Sequence, residues 1–104
     1  ISPRAVFQDL SVTPQVLNIS GQVFLGRDSQ SKVTFPINWS YISKLHCSIT
    51  HDGPTGTFLI QDLKSKNGTF INGARMKPGA TERVTSGSNI YLGKPDSTFV
   101  LEIK

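Results

Sequence analysis

Apolar side chains recur at every second position in several short stretches: Val23 and Leu25, Val33 and Phe35, Cys47 and Ile49, Ile90 and Leu92, then Phe99, Leu101 and Ile103. Successive side chains of an extended strand point to opposite faces, so this alternation predicts strands with one face in a core and the other toward water. Turn-forming sequences fall between them at Ser20-Gly21, Asp52-Gly53-Pro54, Asn67-Gly68, Asn72-Gly73, Pro78-Gly79 and Ser86-Gly87. Short strands with such punctuation predict an all-β sandwich or barrel. Nine Gly and six Pro are spread along the chain, so no long helix is expected. Phe70 to Arg75 predicts a hairpin, because Asn72-Gly73 readily takes the positive φ values of a type I′ turn. Arg4 to Thr13 is compatible with a first strand and resolves no further.

The segments Gly26–Ser31, Pro36–Lys44 and Lys64–Gly68 are polar and lie between the strands, with Trp39, Tyr41 and Ile42 interrupting the second. Loops gathered at one end of a rigid sandwich can build a binding surface, while the strands beneath supply packing. The 104 residues fit one domain, 1–104. A hydrophobic content of 37% gives a lean core, and 17% charged residues argue against a highly charged disordered segment. No apolar run approaches the ~20 residues that span a bilayer, so no membrane partner is expected. Ile1 to Leu10 shows no leader pattern, and a start at Ile is expected of a segment taken from a longer protein. The net charge of +4 favours anionic partners without choosing one. Cys47 is the only cysteine, which excludes an internal disulfide and a multi-cysteine zinc site and fits a reducing compartment. His46 beside it has no spaced partners, so neither metal nor cofactor is expected.

Three local sequences then combine: Leu25-Gly26-Arg27, Ser43-Lys44-Leu45-His46, and the run from Asp62 to Gly73 that contains Asn67-Gly68-Thr69-Phe70-Ile71-Asn72-Gly73. Their order and spacing resemble the forkhead-associated (FHA) domain, whose pattern is Gly-Arg, Ser-x-x-His and Asn-Gly-Thr-x-x-Asn-Gly. Each piece alone is weak, and the ordered set is strong. The resemblance implies an eleven-stranded β-sandwich, with its core at about residues 6–103, whose apical loops bind a phosphothreonine peptide. It further implies recruitment of phosphorylated proteins in signalling, with DNA-damage or cell-cycle control and the nucleus as the expected setting.

The residue types suit that ligand. Arg27 carries a planar, permanently charged donor fork matched to phosphate, Ser43 can donate a hydroxyl hydrogen bond, and Lys44 adds a mobile point charge. Lys66 is a further phosphate candidate at a position where the family often has Thr. Asn67 offers donors and an acceptor for the backbone of an extended peptide, and would set register rather than charge. Each has a plainer alternative: a solvated arginine, a turn-capping serine, solubilising lysines, a turn asparagine at positive φ. Tyr41 and the Lys94–Ser97 loop are candidates for reading ligand side chains, with Tyr41 equally readable as a core-edge aromatic. The resemblance gives Gly26, His46, Gly68, Thr69, Asn72 and Gly73 supporting roles in bracing the binding loops.

Ser43 and His46 do not make an enzyme, because three residues of spacing supply neither an oriented base nor an oxyanion site. Phosphate-binding and dinucleotide-binding glycine patterns are absent from the sequence. Two non-enzymatic alternatives remain: a basic β-module binding nucleic acid through exposed aromatics such as Trp39 or Tyr41, disfavoured by the dispersal of its basic residues, and a phosphate-independent protein scaffold. The segment Pro36–Ser40 and the pair Ser88-Asn89 depart from the family's usual acidic residues.

Overall fold

The computed structural model describes residues 3–36 and 38–103; Ile37, within the predicted polar loop 36–44, lies outside them. Ten strands run in chain order: β1 Pro3–Phe7, β2 Val16–Asn18, β3 Gln22–Leu25, β4 Cys47–Asp52, β5 Thr57–Asp62, β6 Thr69–Ile71, β7 Ala74–Arg75, β8 Thr81–Val84, β9 Ser88–Leu92 and β10 Phe99–Ile103. They form a six-stranded sheet, ordered β2-β1-β10-β9-β6-β7, and a four-stranded sheet, ordered β3-β4-β5-β8. Every pairing between named strands is antiparallel. The result is the all-β sandwich expected, with ten strands among the described residues in place of eleven.

The core follows from the alternation. The four-stranded sheet buries Val23, Leu25, Ile49, Phe58, Ile60 and Val84, and the six-stranded sheet buries Ala5, Phe7, Ile90, Leu92, Phe99 and Leu101. Phe7 joins the layers of aromatic packing, with ring centroids 4.9 Å from Phe99 and 5.9 Å from Phe35. One-faced burial of such strands removes apolar surface from water at about 25 cal/mol per Å2 and fixes their register.

One predicted strand did not form, and two that formed were not predicted. Val33 and Phe35 are both buried, as their alternation requires, yet they lie on no ladder; an isolated bridge between Thr34 and Thr13 and the Ser31 hydroxyl on the Val33 backbone tie this stretch down. Period two therefore reported burial correctly and pairing incorrectly. β5 and β8 had no place among the predicted strands. β5 alternates in full, with Phe58, Ile60 and Asp62 inward, but its third inward residue is a carboxylate, which breaks the apolar signal. The segment Arg4 to Thr13 contributes most of β1, which ends at Phe7. The Asn72-Gly73 hairpin forms as expected, with φ of 50° and 88° at its two central residues and Phe70 opposite Arg75.

Register decides what lies at the apex. Leu25 pairs with Cys47, Cys47 with Asp62, and Thr69 with Leu92. The connections β3–β4, β5–β6 and β9–β10 leave from these residues and so emerge at one end of the sandwich. A single turn of 3-10 helix, Pro95–Ser97, sits in the last of them. Among the described residues, no helix is long and apolar enough to cross a membrane.

Candidate functional site

The β3–β4 connection doubles back on itself at its root. The Arg27 amide donates to the Ser43 carbonyl at 3.2 Å and the Asp28 amide to the Lys44 carbonyl at 2.9 Å. These bonds bring the Gly-Arg and Ser-x-x-His segments together. Gly26 is what permits the approach: a β-carbon there would collide with the backbone carbonyl of Lys44. The exposed Arg27 side chain is oriented by its Nε, which donates to the Ile42 carbonyl. No other side-chain hydrogen bond or ion pair of Arg27 occurs among the described residues. The neighbouring Asp28 carboxylate is occupied in its own turn, where it accepts from the Gln30 amide at 3.1 Å.

Ser43 is the meeting point of the first two loops. Its Oγ accepts a hydrogen bond from the Lys66 backbone N–H at 3.1 Å, which leaves the hydroxyl proton to donate elsewhere. Lys44 and Lys66 are both exposed. The Asn67 amide nitrogen donates to the Tyr41 carbonyl at 2.7 Å, bracing the β5–β6 loop against residues 36–44. Its second N–H and its side-chain oxygen stay exposed. Positive φ belongs to Gly68, at 88°, and not to Asn67, so the plainer reading of Asn67 as a left-handed turn residue does not hold.

Beneath the loops lies a buried polar base. His46 is fully buried, with Nδ1 accepting from the Ser43 backbone N–H at 3.1 Å and Nε2 2.8 Å from the Gly68 carbonyl. Since Nδ1 accepts, Nε2 carries the proton and donates. Burial is the main influence on the ring and pushes its pKa below 6.5, against the opposing effects of the Gly68 bond and the Asp62 charge. Both ring nitrogens are thus spent on backbone, and neither serves as a base to the Ser43 hydroxyl. Cys47 is also buried, with its thiol pKa pushed up chiefly by burial. No group of three or more metal-binding side chains occurs among the described residues.

Asp62 and Ser65 are parts of the site that reasoning from sequence did not assign. The buried Asp62 carboxylate accepts from the Ser65 Oγ at 2.5 Å, the Ser65 amide at 3.2 Å and the Thr69 Oγ1 at 2.8 Å. Ser65 Oγ in turn accepts from the Gly68 amide at 3.1 Å. The whole β5–β6 loop is therefore folded around one carboxylate. Its signal was an Asp at an inward strand position directly before a polar loop. Arg75 was missed too: a β-carbon on Gly68 would lie 2.5 Å from its Nε, so the guanidine stem rests against the loop beside Asn67.

Asn72 has a different attachment from the one expected of it. Its side-chain oxygen accepts from the Asn89 amide at 3.0 Å, and its own amide donates to the Asn89 carbonyl at 2.8 Å. It ties the hairpin to β9 rather than to a ligand loop. Gly73 completes that turn with open space around it. Tyr41 packs on Trp39 with ring centroids 5.9 Å apart, and its hydroxyl is buried without a hydrogen-bond partner. Burial, with Asp96 and Asp9 nearby, pushes its pKa to about 12.

The family model that matches this chain is the FHA domain, over residues 23–93. The chain belongs to the FHA domain family. The matched stretch runs from within β3 to the residue after β9 and contains Gly26, Arg27, Ser43, Lys44, His46, Lys66 and Asn67, while the Lys94–Ser97 loop lies beyond it. This FHA domain is 32% identical to the E3 ubiquitin-protein ligase CHFR of Danio rerio over 89 residues, which are 86% of this chain and 14% of that protein. It is 36% identical to the human sarcolemmal membrane-associated protein over 81 residues, 74% of this chain and 10% of that one. The chain thus spans a small fraction of the length of the curated relatives it matches. In fold it is similar to the solved FHA domain of MEK1 in complex with the HOP1 pThr318 peptide, with a TM-score of 0.75 at 23% identity over 99% of this chain and 97% of that one.

Proposed function

We propose that this FHA domain is a phosphothreonine-dependent peptide-binding module that recruits phosphorylated proteins, and that it does so as one part of a longer protein. One observation carries the reading. The Ser43 hydroxyl, held by the Lys66 amide, sits in a backbone weld with Arg27, whose guanidinium has a backbone partner at Nε and no acidic partner among the described residues. A dianionic phosphate supplies the acceptors that this arrangement lacks. Charge-assisted bonds contribute about 1.5 to 3 kcal/mol each, offset in part by desolvation and peptide ordering. In this reading Lys44 and Lys66 add field around the phosphate, and the exposed half of the Asn67 amide pairs with the peptide backbone. The MEK1 domain of the same fold, solved with a phosphothreonine peptide, supports it by likeness.

The setting is proposed at the level that the resemblance implies, signalling with DNA-damage or cell-cycle control and a nuclear location. A ubiquitin ligase among the relatives supports recruitment of a phosphorylated substrate to an attached activity. Titration against phosphothreonine, phosphoserine and unmodified versions of a position-randomised peptide library, at two salt concentrations, tests the function. Binding is expected only with phosphate and more tightly with phosphothreonine, whose methyl is worth about 1 to 3 kcal/mol in a shaped pocket. Equal binding after dephosphorylation would leave a scaffold, and steeply salt-dependent binding to any nucleic acid sequence would leave the nucleic-acid reading.

A further inference from the structure

The two outer faces of the sandwich differ. Along the ladders of the six-stranded sheet, Val16, Val6 and Val100 stand side by side on β2, β1 and β10, and Phe70 stands beside Tyr91 on β6 and β9. Their strand neighbours Ala5, Leu101, Thr69 and Ile90 are buried, so these five side chains point away from the core. Each is at least partly open to water, and Val16 is 45% exposed. The outer face of the four-stranded sheet carries instead Ser48, Thr50, Gln61 and Thr81, with Phe24 and Leu59 as its apolar members.

The apolar face has unlike ends. Toward β2, β1 and β10 it holds the three valines and the carboxylate of Glu102, whose Oε1 accepts from the Arg4 Nε at 2.9 Å. The second Glu102 oxygen has no partner among the described residues. Toward β9, β6 and β7 it holds the stacked rings of Phe70 and Tyr91, with centroids 4.6 Å apart, and Arg75 opposite Phe70. Arg75 is exposed, and its guanidinium makes no hydrogen bond or ion pair among the described residues. By the registers Arg75 and Glu102 stand three strand spacings and four residues apart, or about 20 Å. One end thus offers aliphatic side chains and a half-used carboxylate, and the other offers aromatic rings and a free cation.

We infer that this face binds the same face of a second copy of this chain. A two-fold axis lying between the faces and midway between the two ends sets Arg75 of each copy against Glu102 of the other. The same axis sets Val100 of each copy over the other's Phe70–Tyr91 stack, because on the sheet lattice Val100 and the stack both lie about 5 Å from it, on opposite sides. One operation that satisfies both the charges and the apolar groups is what a self-complementary surface requires. Six strands at about 4.8 Å spacing and about 17 Å long give roughly 500 Å2 a copy, or about 1,000 Å2 in total, the size of a weak and reversible complex. Arg27 and Ser43 stand on a loop of the other sheet, so the association leaves both phosphate sites open and joins them as a pair. The inference stands on the sheet face alone and does not rest on the phosphopeptide reading.

Sedimentation equilibrium of this chain at low salt, from about 10 μM to about 1 mM, tests the inference, with half-association expected between about 50 and 500 μM. Circular dichroism checks that each variant keeps the fold. Arg75→Glu and Glu102→Arg each bring like charges together at two symmetric places and are expected to weaken association about tenfold. The two substitutions combined restore opposite charges and are expected to return the constant to within about threefold of the parent. Val100→Thr keeps the branched shape, removes apolar surface from both halves of the contact and is expected to weaken it about threefold to tenfold. A chain that stays monomeric at the highest concentration would overturn the inference and leave the face to an unlike protein. Association that no single variant weakens would overturn it too, by placing the contact elsewhere. Losses in the single charge variants that the combined exchange does not recover would overturn the pairing of Arg75 with Glu102 and with it the two-fold arrangement.

Discussion

Arg27 and Arg83 mark opposite ends of the four-stranded sheet, and their surroundings differ in kind. Arg83 stands opposite Leu59, three residues along β5 from the apical Asp62, and its side chain reaches the far turn between β4 and β5, five residues or about 17 Å from that apex at the rise of a strand. Its Nη1 donates to the Asp52 carboxylate at 2.7 Å and to the hydroxyls of Thr55 and Thr57 at 2.9 and 2.7 Å. One amino group of that guanidinium is thus spent on the protein, and it holds the Asp52 carboxyl below its ordinary range. Arg27 is aimed by one backbone carbonyl and offers its remaining donors outward. The polar groups below the two ends differ as well. The Arg83 cluster is exposed, whereas Asp62, His46 and Thr69 beneath the Arg27 loops are fully shielded from water. An exposed cluster exchanges protein bonds for water at little net gain, while a buried one must be complete or costs heavily. The apex therefore invests its buried polar groups in shaping loops and leaves its charge for a ligand.

The largest contrast is expected in binding. Arg27→Ala should weaken a phosphothreonine peptide by about 2 to 5 kcal/mol with the fold kept, because a desolvated charge pair with the phosphate is lost. Arg83→Ala should leave the same titration unchanged. Equal effects of the two variants would erase the distinction between the ends. In stability the order passes to the carboxylates: Asp62→Ala strands Ser65 and Thr69 in the interior and should cost about 3 kcal/mol in urea unfolding. Asp52→Ala, with its partners facing water, should move the unfolding midpoint little. A smaller effect sharpens the division of labour within the apex. Asn67→Ala should weaken the peptide by about 1 to 2 kcal/mol across many peptide sequences, through lost backbone pairing and the released Tyr41 carbonyl. A loss confined to particular peptide sequences would give Asn67 a side-chain-reading role instead.

Much of this apex was readable in the chain because it depends on residues with few alternatives. Gly26 is demanded by a backbone approach, the Asn72-Gly73 turn by two positive φ values, and Arg27 by its order ahead of Ser43. The sandwich was readable for the same reason, since alternation at Phe99, Leu101 and Ile103 allows one inward face. Other features depended on partners distant in sequence. Val33 and Phe35 look like strand residues, yet whether a neighbour exists to pair with them is decided by the loop that contains Thr13. β5 hid behind Asp62, a charged residue whose burial is tolerable only because Ser65 and Thr69 fold back onto it. A pocket between Tyr41, Asn67 and Lys94 joins three loops, and no local pattern records such a meeting.

The smallest expected effect tests the buried histidine under the apical loops. In the folded chain His46 is neutral and its pKa is held below 6.5, mainly by burial, whereas in the unfolded chain it titrates near that ordinary value. Between the two pKa values the unfolded state binds the extra proton, so stability rises with pH there. The contribution is complete above pH 6.5 and is lost as pH falls from there through the folded value. Protonation would also turn Nδ1 from an acceptor into a donor facing the Ser43 N–H, breaking the bond that positions the phosphate loop. Urea midpoints measured from about pH 8 down to about pH 5 should therefore decline below pH 6.5, with peptide affinity weakening over the same interval. His46→Gln removes this titration, and the difference between its profile and that of the parent isolates the His46 share from that of the phosphate itself. Parallel profiles would show that His46 braces the loops by shape alone, and would leave the apical end no more sensitive to acid than the exposed cluster around Arg83.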